Sequence, residues 1–308
     1  MNGAIDDAEF SYASPDDGPF RRILIRAIEH LSGQPHLLHL YQDYQARSEP
    51  KPDFWAAAVR ALEIEIDIRA GTLENIPSEG PALIVANHPF GVLDGVALAH
   101  IVHQRRPDFR LLVHSLLLRA SAARPWLLPI DFTDSAAAAR ANVASRNAAR
   151  DWLAGGGVVL IFPGATVSTA PRLFEPAIDP DWQPFVAALM TAPGTQTVPI
   201  YVDGENSFLF QLVSHFSQTL RLALLFHEVT RRIGKRIDVS IGAPIDFESL
   251  KAIGNRREIA AHLRRTTYAL GGRLDIPPSE RLQEIAGRRT AAAPTAAAEK
   301  PRRRFVGY

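Results

Sequence analysis

Two short runs constrain this chain more than any other feature: Ala82-Leu83-Ile84-Val85-Ala86 and Val158-Val159-Leu160-Ile161-Phe162. Each is continuously apolar, so a strand built from it has two faces to hide from water. A sheet covered by helices on both sides offers that. Each run stops at a proline, the first at Asn87-His88-Pro89 and the second at Pro163-Gly164. Proline lacks the ladder donor and glycine frees the backbone, so both runs are expected to end in tight loops. A third segment, 63–69 (EIEIDIR), alternates strictly and reads as a half-buried edge strand. Residues 109–113, 197–202 and 236–241 are expected as further strands. Helical patterns fall at 36–45, 54–62, 95–104, 135–153, 181–191, 208–225 and 250–270. This alternation predicts an α/β fold: a single domain with a central, mostly parallel or mixed sheet flanked by helices.

At 308 residues, 46% apolar and 22% charged, the composition is that of an ordinary globular protein. The expected division is 1–19 disordered, 20–52 an N-terminal helical segment, 53–287 the α/β domain and 288–308 a disordered basic tail. Phe20, Ile23, Leu24, Ala27, Ile28 and Leu31 share one helical face, with Arg21, Arg22 and Arg26 mostly off it. Helices tied to the core explain this region, and so do helices lying on a membrane surface. Arg302-Arg303-Arg304 in the tail is either solvated or in contact with anionic lipid. A formal charge of +1 gives no reason to expect nucleic acid. Cysteine is absent, which excludes disulfides, a thiol nucleophile and thiolate metal sites. The acidic N-terminus is unlike a signal peptide. No run approaches the ~18 apolar residues of a spanning helix. A cytoplasmic protein, soluble or peripheral, is expected.

The chemistry-bearing pair is His88 and Asp94, with Gly91 making the turn between them feasible. A neutral imidazole can take a proton from a hydroxyl, and a nearby carboxylate can orient the ring and stabilise the imidazolium. Asp94 is expected at the mouth of the helix over 95–104. Taken alone the pair is a weak signal, because a loop-capping histidine and a helix-capping aspartate explain most such pairs. His100 and His103 share a helix face without an evident third ligand, so no metal site is expected. No G-x-S-x-G, G-x-G-x-x-G or P-loop motif occurs. Trp126, Trp152 and Trp182 read as core or surface anchors. Leu116-Leu117-Leu118 with Trp126-Leu127-Leu128 either packs in the core or lines an apolar channel.

The wider stretch NHPFGVLDG resembles the first motif of the PlsC-like glycerolipid acyltransferase superfamily. Its spacing, HxxxxxD, is similar to the branch holding lyso-ornithine-lipid acyltransferases and hemolysin-labelled proteins. GGGVVLIFPGATVS resembles the strand and FPEGTRS motif of that family, and VPIYVDGENSFLF its later V-P-V block. The resemblance spans roughly residues 60–250. It implies a PlsC-like fold and transfer of a fatty acyl group from acyl-carrier protein (ACP) or acyl-CoA, as co-substrate, to the hydroxyl of a lyso-lipid. The acceptor would be a lyso-ornithine lipid or a lysophospholipid, and no cofactor is implied. His88 inherits the role of general base and Asp94 that of orienting it. Phe162, Pro163, Gly164, Ala165, Thr166 and Asn206 inherit substrate binding, with the amides around Gly164–Thr166 as oxyanion donors. Such an enzyme would work peripherally on the inner face of the cytoplasmic membrane. The departures are Gly164 for the motif glutamate, Val167 for its arginine and Glu205 where the branch often has arginine. Losing the arginine weakens the case for a phosphate-bearing acceptor. Arg172 is either a replacement cation or a solvated loop residue. A lipid-binding relative with weakened catalysis is the alternative those departures motivate.

Overall fold

The computed structural model describes residues 33–47 and 53–274 apart from 134 and 191, together with residues 18, 19, 23 and 30. The expectations of disorder at 1–19, of a helix over 20–31 and of a disordered tail from 288 fall largely or wholly outside the described residues.

Seven strands form one sheet: β1 (Glu65–Ala70), β2 (Ala82–Ala86), β3 (Phe109–His114), β4 (Leu127–Ile130), β5 (Val158–Ile161), β6 (Gln196–Val202) and β7 (Arg236–Ile241). Their order is β1-β7-β6-β2-β5-β3-β4. Every neighbouring pair is parallel except β6 with β7, so the sheet is mixed, with a parallel centre. The central strand β2 lies between β5 and β6 and is buried throughout. The alternating segment becomes the edge strand β1, whose polar positions form ion pairs across to β7. Arg69 reaches Asp238 at 3.1 Å, and Asp67 lies 3.8 Å from Arg236.

Because side chains alternate across a strand, the apolar run of β2 divides between two cores. Ala82, Ile84 and Ala86 pack with Leu93, Ala97, Leu98 and Ile101 of helix α3 (Val92–Arg105). The first described helix, α1 (Gln34–Gln45), and α2 (Phe54–Ala61) flank that side. Leu83 and Val85 face the other way. They meet Ala149 and Leu153 of α4 (Ala136–Ala154), Val186 and Leu189 of α5 (Phe185–Leu189), and Leu263 of a later helix. The remaining helices are α6 (Phe208–Ser214), α7 (Gln218–Arg231), α8 (Phe247–Lys251) and α9 (Arg256–Ala269).

Several helix boundaries differ from the sequence expectation, four of them for a plain local reason. Helix α3 begins at Val92, three residues before 95, because Gly91 serves as its N-cap and Asp94 lies inside the first turn. The pattern over 181–191 yields the five-residue α5, which starts only after Pro184. The stretch 208–225 breaks where the Ser217 side chain accepts from the Leu220 amide and starts α7. The stretch 250–270 breaks at Asn255, which forms a capping box with Glu258.

Leu160 is fully buried on the α3 side. Leu160→Ala is expected to cost about 2–5 kcal/mol in urea unfolding, and a loss below about 1 kcal/mol would show that this face is not tightly packed.

Candidate active site

The site is built where β2 runs out. Asn87, 2% exposed, replaces the backbone as β6's partner: its Nδ2 donates to Val202 O at 2.8 Å and its Oδ1 accepts from Val202 N at 2.7 Å. This prolongs the sheet by one residue and sets His88 on its rim. Gly91, at φ 80°, turns the chain into α3. A Cβ there would come within 3.2 Å of Leu225 and Val167, so conformation and space both call for glycine. Phe90 is fully buried, pressed against Gly204 on one side, with the Arg232 guanidinium 3.6 Å from its ring centre.

The loop closes around Asp94, which has no exposure to solvent. Its Oδ2 accepts from the amides of Phe90 and Gly91, both at 2.9 Å. His88 Nδ1 lies 3.0 Å from the same oxygen, in an approach too bent for a straight hydrogen bond. Oδ1 is buried and partnerless among the described residues. Burial pushes the Asp94 carboxyl above its ordinary value, and the His88 ring and the two amides oppose that rise. The His88 ring stacks on Phe162, centroids 4.1 Å apart. Nδ1 is buried, so the 18% of the side chain still exposed belongs to its other atoms. The geometry is that of a proton acceptor facing outward with a carboxylate behind it.

The second loop follows β5. Ala165, at φ 56°, makes the turn, and its amide donates to Phe162 O at 3.0 Å. Ala165 is therefore not the expected oxyanion donor, because its N–H is already committed. The Gly164 amide has no acceptor among the described residues. Pro163 O accepts from the Gln183 amide at 3.0 Å, and Ser168 N donates to His88 O at 2.8 Å. Arg221, buried on α7, holds the outer half of the loop. It donates to Val167 O at 2.5 Å, Thr169 Oγ1 at 2.6 Å and Thr166 Oγ1 at 3.3 Å. Val167, in the place of the motif arginine, packs with Phe210 and Leu225.

The other sequence-derived residues fall as follows. Asn206 is 2% exposed, and both polar atoms of its side chain lack partners among the described residues. Arg172 lies at the surface, paired with Glu175 at 3.0 Å. Glu205 accepts from the Ala177 amide at 2.8 Å and ties two loops together. Ser207 caps α6 and binds the buried Glu228. His103 pairs with Asp53 at 3.2 Å, and burial lowers the pKa of His100. Among the described residues no cluster of three metal-binding side chains forms. The indole nitrogens of Trp126, Trp152 and Trp182 bind Pro107 O, Asp108 O and Asp179 Oδ2 respectively. Leu117 and Leu118 pack against the core. A hollow of about 340 Å³, lined in part by Val59, Ile66, Leu73 and Gln104, lies towards the far end of α3 from Asp94.

Sequence reasoning missed Asn87, Asp179, Arg221 and Glu228. Asn87 had a signal, since it adjoins His88 in the motif. The other three lie in stretches where nothing marks them.

Folding favours the protonated form of Asp94. The stability this group contributes is therefore full below the ordinary carboxylate value of 3.8 and is lost as pH rises through the elevated folded value. Asp94→Asn keeps the acceptor for the two amides and removes the charge. Its melting temperature relative to wild type is expected to climb as pH is raised from acid to neutral, by about 2–4 °C per kcal/mol relieved. A pH-independent difference in a thermal-shift series would show that burial of this charge does not govern the loop.

Comparison with known proteins adds the following. A family model described as Acyltransferase matches residues 28–277. Two curated relatives are named lyso-glycine lipid O-acyltransferase. The protein from Phocaeicola vulgatus is 24% identical over 256 residues, covering 81% of this chain and 88% of its own length. The protein from Bacteroides thetaiotaomicron is 24% identical over 225 residues, covering 71% and 79%. A crystal structure of the 1-acyl-sn-glycerophosphate acyltransferase PlsC from Thermotoga maritima aligns with a TM-score of 0.46 at 12% identity, over 84% of this chain and 99% of that one. With the family model spanning most of its length, including both loops of the site, this chain belongs to the acyltransferase family.

Proposed function

We propose that this acyltransferase moves a fatty acyl group from a thioester donor to the hydroxyl of a lyso-lipid, with His88 as general base. One observation carries the reading: an outward-facing histidine backed by a fully buried carboxylate at the carboxyl end of a parallel strand, which is where open α/β sheets place their chemistry. The acceptor hydroxyl oxygen attacks the thioester carbonyl carbon as its proton passes to His88 Nε2. The oxyanion forms beside the 162–168 loop, where the Gly164 amide is the available donor. The C–S bond then breaks, and the imidazolium returns the proton to the leaving sulfur. Asp94 stabilises the imidazolium while it lasts. Phe162 fixes the ring plane by stacking.

The relatives' names favour a lyso-lipid with an amino-acid head group, glycine in their case. Val167 in place of the motif arginine points the same way, since the cation beside it, Arg221, is buried and tied to Val167 O, Thr169 and Ser214 rather than presented to a phosphate. Asn206, whose buried side-chain amide has no partner among the described residues, is the residue we assign to the acceptor. The donor is acyl-ACP or acyl-CoA. Among the described residues no helix is long and apolar enough to cross a membrane. Phe174, 88% exposed and stacked on the half-exposed Phe208, supports work at a lipid surface, which we place on the inner face of the cytoplasmic membrane.

Labelled acyl-ACP and acyl-CoA, offered with lyso-glycine lipid, lyso-ornithine lipid and lysophosphatidate, test the reading. Transfer to an amino-acid lyso-lipid is expected. His88→Ala should lower it by about 10²–10⁴-fold at unchanged melting temperature. Full activity in that variant, or no transfer by the wild type to any acceptor, would sink the assignment.

A further inference from the structure

Asp179 is fully buried and lies 91 residues from His88 in sequence. A short antiparallel bridge between Thr169 and Ile178 folds its segment back onto the 162–168 loop. Its Oδ1 accepts from the His88 amide at 3.1 Å and from Ser168 Oγ at 2.5 Å. Its Oδ2 accepts from Trp182 Nε1 at 2.9 Å. The backbone is pinned as well: Asp179 N donates to Tyr268 Oη, and its carbonyl accepts from Arg264 Nη2, both at 2.7 Å. Since Ser168 N also donates to His88 O, both polar groups of the His88 backbone end on one unit, Ser168 with Asp179. That unit is braced by α9, which carries Arg264 and Tyr268.

Gly164 adds a second, independent observation. A Cβ built there would meet three atoms first, all of Asp179: Cβ and Oδ2 at 3.2 Å and Cγ at 3.3 Å. The Gly164 backbone is not in the left-handed region. A side chain at this position would therefore crowd the Asp179 carboxyl group first.

We infer that Asp179 is a positioning residue for the proposed base. From outside the motif, it supplies a carboxylate in the volume that a side chain at 164 would otherwise occupy. It touches no reacting atom. It fixes the height and tilt of His88 relative to the Gly164 amide, so that proton transfer and oxyanion binding share one geometry. The inference rests on His88 being the base, and the two can fail separately.

The test is an exchange of carboxylates, with steady-state kinetics and NMR amide exchange on the full chain. Asp179→Ala is expected to lower kcat about 10- to 100-fold, the scale of an ångström-level misplacement, with KM for both substrates unchanged and faster exchange of the His88 amide. Gly164→Glu alone should also lose activity, because two carboxylates cannot share that volume. Gly164→Glu combined with Asp179→Ala is expected to regain about tenfold over Asp179→Ala and to slow the His88 amide again, a coupling that independent sites would not show. An unchanged kcat in Asp179→Ala overturns the inference, and so does a double variant no more active than that single variant, whether or not it folds. If the wild type transfers no acyl group, the base assignment fails, and the amide exchange still decides whether Asp179 holds His88: an unchanged rate in Asp179→Ala overturns it.

Discussion

The His88 loop has its shape because a carboxylate is buried beneath it. Taking a carboxylate out of water costs several kcal/mol even after relaxation, so donors must be brought to Asp94. Two successive amides, Phe90 and Gly91, converge on Oδ2. Here the two amides reach one oxygen through a sharp turn, in which residue 91 takes a positive φ. The same turn places His88 Nδ1 against that oxygen and starts α3 with a negative charge in its first turn, where the helix dipole favours it. Base, turn and helix start are therefore one solution to one electrostatic problem.

That solution depends on the sheet below it. β2 is buried on both faces, so it cannot slip by a residue without exchanging its two cores. Asn87 then fixes the exit by pairing with Val202 as a strand residue would. The 162–168 loop leaves β5, the other neighbour of β2. Two adjacent parallel strands thus deliver the histidine and the glycine-containing turn to the same edge, and the stacking of His88 on Phe162 follows from their adjacency.

What could be read from the sequence was whatever a single segment decides for itself. The continuous runs at 82–86 and 158–162, the alternation at 63–69 and the His-x5-Asp spacing are local facts, and each appears in the fold, with β5 ending one residue early at Ile161 and β1 starting two residues late at Glu65. Helix breaks at Ser217 and Asn255 were missed because an apolar periodicity continues across them while a single side chain decides the cap. Asp179, Arg221 and Glu228 were missed for a different reason. Each is a charged residue in an unremarkable stretch that binds a distant partner, 21 to 91 residues away. Burial turns such residues from surface charges into ties, and burial is a property of the whole fold.

The altered motif reads differently once those ties are placed. Compared with FPEGTRS, the loop has lost an acid at 164 and a base at 167, and by residue identity alone this resembles decay. In space, both charges still lie against the loop: the Asp179 carboxylate abuts Gly164, and the Arg221 guanidinium binds the carbonyl of Val167. A decaying site would be expected to lose its costly features first, because an unneeded buried charge is a liability. This loop instead keeps two, each carried by well-made hydrogen bonds from outside the motif. Retention of that expense, beside an intact His88–Asp94 pair, weighs for a working catalyst over a lipid-binding relic.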